Sequence, residues 1–310
     1  MVTGKDSFFK AHKDTPRGTD MFGSLVIVFP TQHDGGALLF KHGSNEWTFD
    51  SSNLLADAKK AKQDDTTAYL GYVAFFSDVE HEVARVVSGH RVTVTYNLYF
   101  ADVNLNAAPN LDAISLAESA FNSALKAALE DDSFLPDGGY LGFGLCHEYP
   151  IETGPYAKRY NKVDLVSRCL KGRDAIVRRI CTSFGLQTNI RLRFTEGSWE
   201  DAQFLLDKHI DFSDAYVHDT TLVAYMQENY NAVVIRNDDF EPGYAREKYG
   251  KLIGKPEFRV QWVTDLKEFN EVEVAFLRYG NEAETSYAYG SFCLIVKVGK
   301  KGERKTVEGA

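Results

Sequence analysis

Two stretches, MFGSLVIVF (21–29) and HRVTVTYNLYF (90–100), are the clearest strand signals in the first third of the chain. Both are short and rich in Val, Phe, Tyr and Thr, the residues that favour β-strands. Further segments of this kind surround them, separated by turn formers such as Pro30, Asp34-Gly35-Gly36 and Ser88-Gly89: FFKAH (8–12), GALLFKH (36–42), EWTF (46–49), YLGYVAFF (69–76) and HEVARVV (81–87). This profile is typical of a β-sandwich or jelly roll. A single helical connection is predicted over residues 53–62, and HEVARVV is expected to form a hairpin with residues 90–100 about Ser88-Gly89.

The character of the sequence changes after residue 105. A helix with an apolar stripe is predicted to begin at Leu111 and to end before Pro136, and mixed helices and strands follow it. We therefore predict two domains in a mixed, β-rich α+β chain: residues 1–105 as the β-domain, and residues 106–310 as an α/β C-terminal region of unknown role.

Charge and composition exclude several classes of protein. The net charge is −9, with 35 basic and 44 acidic residues, whereas a protein that grips nucleic-acid phosphates needs a basic face. The apolar runs have the length of strands rather than of membrane-spanning helices, and the spacing of the four cysteines fits neither a zinc motif nor a dense disulfide framework. We expect no nucleic-acid partner, no membrane partner and an intracellular location, cytoplasmic or nuclear.

One group of residues has the pattern of a metal site. His12 and Asp14 are two positions apart at the end of a predicted strand, so their side chains can share a face. A facial triad of two histidines and one carboxylate needs a second histidine from a distant strand, and His81 opens such a strand. His209 and Asp211 form a second triplet of the same type, but the only histidine after it is His218, which is too near to come from a separate strand.

Arg91 and Thr93 extend this group. Arg91 follows His81 by ten positions (81 to 91) and can reach back to clamp the remote carboxylate of a metal-bound dicarboxylate, with Thr93 adding a hydroxyl on the same face. The alternatives are structural: polar residues at a turn for the triad, a salt bridge from Arg91 to Asp78 or Glu80, and a simple strand-forming role for Thr93. The glycine pair in DGGALLF lacks the helix that a phosphate loop requires.

Five motifs carry a resemblance to a known family. FFKAHKDTPRG (8–18), MFGSLVIVFP (21–30), DGGALLF (34–40), AFFSDVEHEV (74–83) and SGHRVTVTYNLYF (88–100) resemble, in this order, the prolyl 4-hydroxylase-like branch of the iron(II)- and 2-oxoglutarate-dependent dioxygenases, in particular its uncharacterised fungal members. GGYLGFGLCHEYP (138–150), LKGRDAIVRR (170–179), FRVQWVT (258–264) and YGNEAETSYAYG (279–290) resemble the C-terminal part of the same fungal group.

The resemblance implies a fold, cofactors and a reaction. The fold would be a double-stranded β-helix, with His12, Asp14 and His81 as catalytic iron(II) ligands and Arg91 as the anchor of 2-oxoglutarate. The enzyme would consume 2-oxoglutarate and O2, with ascorbate as a further candidate cofactor. It would hydroxylate a C–H bond in a prolyl or other side chain of a protein or peptide.

Two alternatives remain open at this stage. Only eleven residues precede His12, so we expect the first strand of the β-helix to be largely missing. The first alternative is therefore a catalytically silent, shortened β-helix protein that acts as a binding module. The second is a cupin-like metalloenzyme that works without 2-oxoglutarate.

Overall fold

The computed structural model of the 310-residue chain divides into two compact units, Met1–Ala107 and Ala108–Ala310. We refer to them as unit 1 and unit 2. The structure describes residues 1–18, 20–62, 69–100, 116–152, 163–196, 202–208, 222–243, 245–248, 250–266, 274–275, 287–289 and 292–304. The roles given to residues 1–105 and 106–310 stay predictions.

Unit 1 consists of antiparallel strands and one described helix. Its elements are β1 (Val2–Thr3), β2 (Phe9–His12), β3 (Met21–Val28), β4 (His33–Gly35), β5 (Leu38–His42), β6 (Asn45–Phe49), α1 (Ser51–Lys62), β7 (Gly71–Phe76), β8 (Glu80–Val83), β9 (Val86–Gly89) and β10 (Arg91–Tyr99). One four-stranded sheet has the order β1-β10-β3-β7, a second has the order β2-β8-β5-β6, and β4 pairs with β9. The prediction of a β-rich chain is confirmed.

Alternation along β3 explains how unit 1 forms a core. Val26 and Val28 are buried, whereas Leu25 and Ile27, which alternate with them, are only partly covered, as expected for a strand with one face inward. The buried face packs with side chains of the second sheet, chiefly Leu38 and Phe40, in one apolar cluster. The two sheets of unit 1 therefore share a core.

The predicted hairpin between residues 81–87 and 90–100 is wrong. β8 pairs with β2 and β5, β10 pairs with β1 and β3, and the intervening β9 pairs with β4. The chain changes sheets at Gly89, whose φ is 72° and where a Cβ would lie 2.2 Å from the Gln32 carbonyl oxygen. A two-residue turn signal indicates that the chain reverses there, but it does not say which strand the returning chain will pair with.

Unit 2 combines a six-stranded sheet with helices. Its elements are α2 (Leu116–Glu130), β11 (Gly139–Gly144), β12 (Pro150–Glu152), a 3-10 helix (Val163–Arg168), α3 (Gly172–Ser183), β13 (Gln187–Glu196), β14 (Ala202–Leu206), α4 (Leu222–Tyr230), β15 (Val233–Asn237), β16 (Glu247–Lys248), β17 (Lys251–Leu252), β18 (Val260–Thr264), β19 (Val274–Ala275), β20 (Tyr287–Tyr289) and β21 (Phe292–Val298). The six-stranded sheet has the order β15-β14-β13-β21-β11-β18, with β11 and β18 parallel and its other pairs antiparallel. β12-β20-β19 and β16-β17 form smaller sheets.

The two faces of the six-stranded sheet belong to different clusters. One face packs against the helices, with Phe204 and Leu206 of β14 beside Ile180 of α3 and Met226 of α4. Leu205, between those two β14 residues, belongs to a second cluster that contains no described helix residue. Because strand side chains alternate, this second cluster lies on the opposite face.

Several sequence predictions for unit 2 fall outside the described residues. These are the helix start at Leu111, the His209–Asp211 triplet and His218. β18 lies within the motif FRVQWVT (258–264), whereas β14 and α4 lie outside all of the motifs named above. Among the described residues, no helix has the length and apolar character needed to span a membrane.

The four cysteines are all thiols in the described part of the chain, two of them buried. Burial raises the pKa of the Cys181 and Cys293 thiols to about 12, because the charged thiolate loses its hydration. Cys146 and Cys169 are partly exposed. Since the thiolate is the reactive form, the two pairs should differ in reactivity.

We expect iodoacetamide at pH 8 to label Cys181 and Cys293 only after unfolding. Peptide mass spectrometry of native and denatured protein checks this, with Cys146 and Cys169 as the internal comparison. Labelling of Cys293 at the same rate in native and unfolded protein would contradict the buried position of β21.

Candidate metal centre

A strand pairing brings two predicted site residues together. His12 ends β2 and His81 lies in β8, and these residues are register partners in the antiparallel pair. Their imidazole centroids are 4.4 Å apart. The pairing is irregular between Phe9 and His12, so a bulge re-aims the end of β2.

Asp14 lies just past the end of β2 and completes the group. Its Oδ1 is 3.8 Å from Nε2 of His81. Potential ligand atoms of His12, Asp14 and His81 all lie within 4.8 Å of one another, so the group could hold a metal ion. Two ligands bonded at about 2.1 Å to one ion can be at most roughly 4.2 Å apart, and the Asp14–His81 separation meets this limit.

Hydrogen bonds fix the tautomer of both histidines. Nδ1 of His12 is 2.8 Å from the Lys10 carbonyl oxygen, and Nδ1 of His81 is 3.1 Å from the Val79 carbonyl oxygen. A carbonyl oxygen only accepts, so Nδ1 must carry the proton and donate it in each case. Nε2 of each ring therefore keeps the lone pair that a metal needs.

The surroundings of His81 keep its ring neutral. The residue is 8% exposed, and its ring packs against Phe75, with centroids 4.5 Å apart. Burial lowers the pKa of His81, chiefly through desolvation, while the hydrogen bond to Val79 and the charge of Asp14 act in the opposite direction. The neutral imidazole is the form that binds metal.

Ser24 holds the carboxylate of Asp14, a contact that no sequence pattern indicates. The Ser24 hydroxyl, 1% exposed on β3, donates to Oδ2 of Asp14 at 2.5 Å. Oδ1 then remains on the side of His81. Ser24 thus orients the carboxylate as the partners of metal ligands commonly do.

Arg91 and Thr93 are both buried at the start of β10, two positions apart and on one face of the strand. Arg91 is 3% exposed, and its Nε and Nη2 have no hydrogen-bond partner among the described residues. Among the described residues, no ion pair joins Arg91 to Asp78 or Glu80, the two alternatives that the sequence left open. Oδ2 of Asp78 lies 3.3 Å from Nε2 of His42. Burial also lowers the pKa of Arg91 from its ordinary value.

Gly36 makes room for the Arg91 side chain. A Cβ at Gly36 would lie 2.9 Å from Cδ of Arg91, and the φ of Gly36 is 71°. Gly36 precedes Phe40, the register partner of His81, by four residues, which is at most roughly 13 Å of extended chain. The Arg91 side chain therefore lies against the segment that leads into β5, the strand that pairs with the His81 strand β8.

We expect Ser24→Ala to weaken Co²⁺ binding by about 10- to 100-fold, because Asp14 would lose its orienting hydrogen bond. Equilibrium titration of the metal-free protein measures this. Ser88→Ala, at an exposed serine of β9, is the matched control and should leave binding unchanged. Equal affinities for both variants would mean that Asp14 does not depend on Ser24.

Comparison with known proteins adds a slight structural similarity. No protein-family model matches the chain, and no curated protein matches it. It is similar to a crystal structure of an oxidoreductase of the 2OG-Fe(II) oxygenase family from Burkholderia pseudomallei, with 22% sequence identity and a TM-score of 0.24. This match covers 31% of the present chain and 38% of that chain, so it spans well under half of that protein. A similarity of this extent does not identify the fold or the activity.

Proposed function

We propose that unit 1 is an iron(II)- and 2-oxoglutarate-dependent dioxygenase that hydroxylates a C–H bond. The observation that carries this proposal is the buried guanidinium of Arg91, whose Nε and Nη2 lack a partner among the described residues. It lies in the same unit as a group of two histidines and one carboxylate. Two histidines and one carboxylate alone are compatible with many metal-dependent reactions. A buried arginine with unsatisfied donors in the same unit favours a reaction in which one ligand carries a carboxylate.

The ligand set fits iron(II). Two imidazoles and one carboxylate on one side of an ion leave its remaining positions open for substrates. Ser24 occupies Oδ2 of Asp14, which favours binding through Oδ1 alone. When bound, the iron would supply the oxidising chemistry with O2, for which side chains have no equivalent, while 2-oxoglutarate is converted to succinate and CO2.

Arg91 fits the role of cosubstrate anchor. A buried cation without a partner is costly, by several kcal/mol in general, and a carboxylate that pairs with it removes much of this cost. A planar guanidinium can donate two parallel hydrogen bonds to a carboxylate. Thr93 lies on the same face of β10 and could add a hydroxyl donor.

We also propose that unit 1 is a double-stranded β-helix, or jelly roll. When the short β4 and β9 are set aside, eight strands remain. If these eight are renumbered 1 to 8 in chain order, the sheet orders β1-β10-β3-β7 and β2-β8-β5-β6 become 1-8-3-6 and 2-7-4-5. Consecutive strands therefore cross repeatedly from one sheet to the other, which supports this topology. The hydroxylation of a prolyl or other protein side chain, and the use of ascorbate, rest on the sequence resemblance.

Anaerobic titration tests the metal site. We expect stoichiometric Fe(II) binding and, after addition of 2-oxoglutarate, a weak visible charge-transfer band. His81→Ala and Asp14→Ala should abolish the band and the iron-dependent formation of succinate. His90→Ala, which replaces an exposed histidine outside the group, is the control and should keep both.

Two results would contradict the dioxygenase proposal. If folded protein, verified by circular dichroism, bound no Fe(II), the dioxygenase proposal would be wrong and a silent binding module would be favoured. Succinate formation that His81→Ala leaves intact would place the activity elsewhere.

Arg91→Met separates cosubstrate binding from metal binding. Loss of a hydrogen-bonded ion pair of about 1.5–3 kcal/mol should raise the 2-oxoglutarate requirement by about 10- to 100-fold, while Fe(II) binding is retained. Arg85→Met is the control, because Arg85 is exposed and paired with Asp6. A cupin-like site that works without 2-oxoglutarate would show turnover independent of this cosubstrate in both variants.

A further inference from the structure

Unit 2 contains a cavity of about 790 Å³ that the proposed dioxygenase site does not use. It lies on the side of the six-stranded sheet that faces away from the helices, since Ile235, Val260 and Trp262 line it and belong to the cluster on that side. Its volume is within the range of about 300–1,000 Å³ that small-molecule sites occupy.

The lining is rich in arginine although the whole chain has a net charge of −9. The charged lining residues are three arginines, Arg193, Arg236 and Arg259, and two aspartates, Asp238 and Asp265. Two of the five charges already interact closely, because Arg236 donates to both carboxylate oxygens of Asp238. This hydrogen bond, with the charge of Arg259 as a smaller contribution, lowers the pKa of Asp238. The lining therefore carries an excess of positive charge.

The Arg193 side chain packs on the ring of Trp262. Its guanidinium carbon lies 5.7 Å from the ring centroid of Trp262, which is a cation–π distance. The Trp262 ring packs in turn on Gly142, where a Cβ would lie only 2.4 Å from Cε3 of the indole. A guanidinium fixed in this way loses less conformational freedom when it binds a ligand.

Gln203 adds an amide beside the arginines. It is 8% exposed on β14, and its register partner on β15 is Arg236. Guanidinium and amide groups together are the donors that recognise carboxylate and phosphate oxygens.

We propose that this cavity binds a small organic anion through a phosphate or carboxylate group, with Arg193 and Arg259 as the main recognition residues. Asp265 opposes the same anion by charge repulsion. The site lies within unit 2 and does not depend on the proposed dioxygenase activity of unit 1.

Calorimetric titration at low ionic strength tests the proposal with two probes, inorganic phosphate and succinate. All titrations use the full chain with Arg91→Met, so that a carboxylate cannot bind at that residue. We expect saturable binding of at least one probe, and whichever binds more tightly identifies the phosphate or carboxylate class. Arg193→Met should weaken binding at least tenfold, because one charge-assisted contact is lost.

Two further variants make the result decisive. Arg246→Met is the matched control, since Arg246 is exposed, pairs with Glu228 and lies outside the cavity. Asp265→Asn should tighten binding, and this variant keeps the proposal testable if Arg193→Met does not fold. Binding of neither probe, or equal weakening by Arg193→Met and Arg246→Met, would overturn the proposal.

Discussion

The candidate metal centre depends on one constraint, the register of β2 against β8. This register pairs His12 with His81 across two strands that are distant in the sequence. Successive strand residues point to opposite faces, so a slip of one residue would turn one histidine away from the other. The same strand, β8, also pairs His81 with Phe40 of β5, which anchors the register in the apolar core. A site built on such a core is held more rigidly than a site built on loops.

The second feature on which the proposed function depends is the buried Arg91. Nε and Nη2 of Arg91 are buried without a hydrogen-bond partner among the described residues, which opposes folding. The fold makes specific room for this side chain at Gly36, where a Cβ would lie 2.9 Å from Cδ of Arg91. Stability alone gives no reason for this arrangement, because an apolar side chain of similar size would pack in the same space at lower cost. Structural features that oppose stability are common where a ligand completes them. The carboxylate-binding role proposed for Arg91 supplies the missing partner.

The sequence predicted most strands of unit 1 because their patterns are local. Met21–Val28 shows the alternation of a strand with one buried face, and the turn formers around it mark its ends. His12, Asp14 and His81 could be grouped because a spacing of two at the end of a strand, together with a histidine on a later strand, is a local pattern plus one pairing. The hairpin prediction was wrong because strand pairing is not a local property. Gly89 indicates that the chain reverses, but no local pattern shows which strand β10 will pair with. Ser24 could not be found either, because a serine inside an apolar strand carries no mark of the aspartate that it contacts.

The three candidate metal ligands differ in exposure, so the candidate site has a buried side and a solvent-exposed side. His81 is buried against Phe75, Asp14 is partly covered, and His12 is exposed at the end of its strand. An ion held by these residues would have its apolar surroundings on the side of His81 and its access to solvent on the side of His12. Arg91 is buried, so a cosubstrate bound to it would extend into the interior of unit 1 and would leave the exposed side to a second substrate. On the proposed function, the burial of Arg91 and His81 and the exposure of His12 would separate an internal cosubstrate from an external substrate.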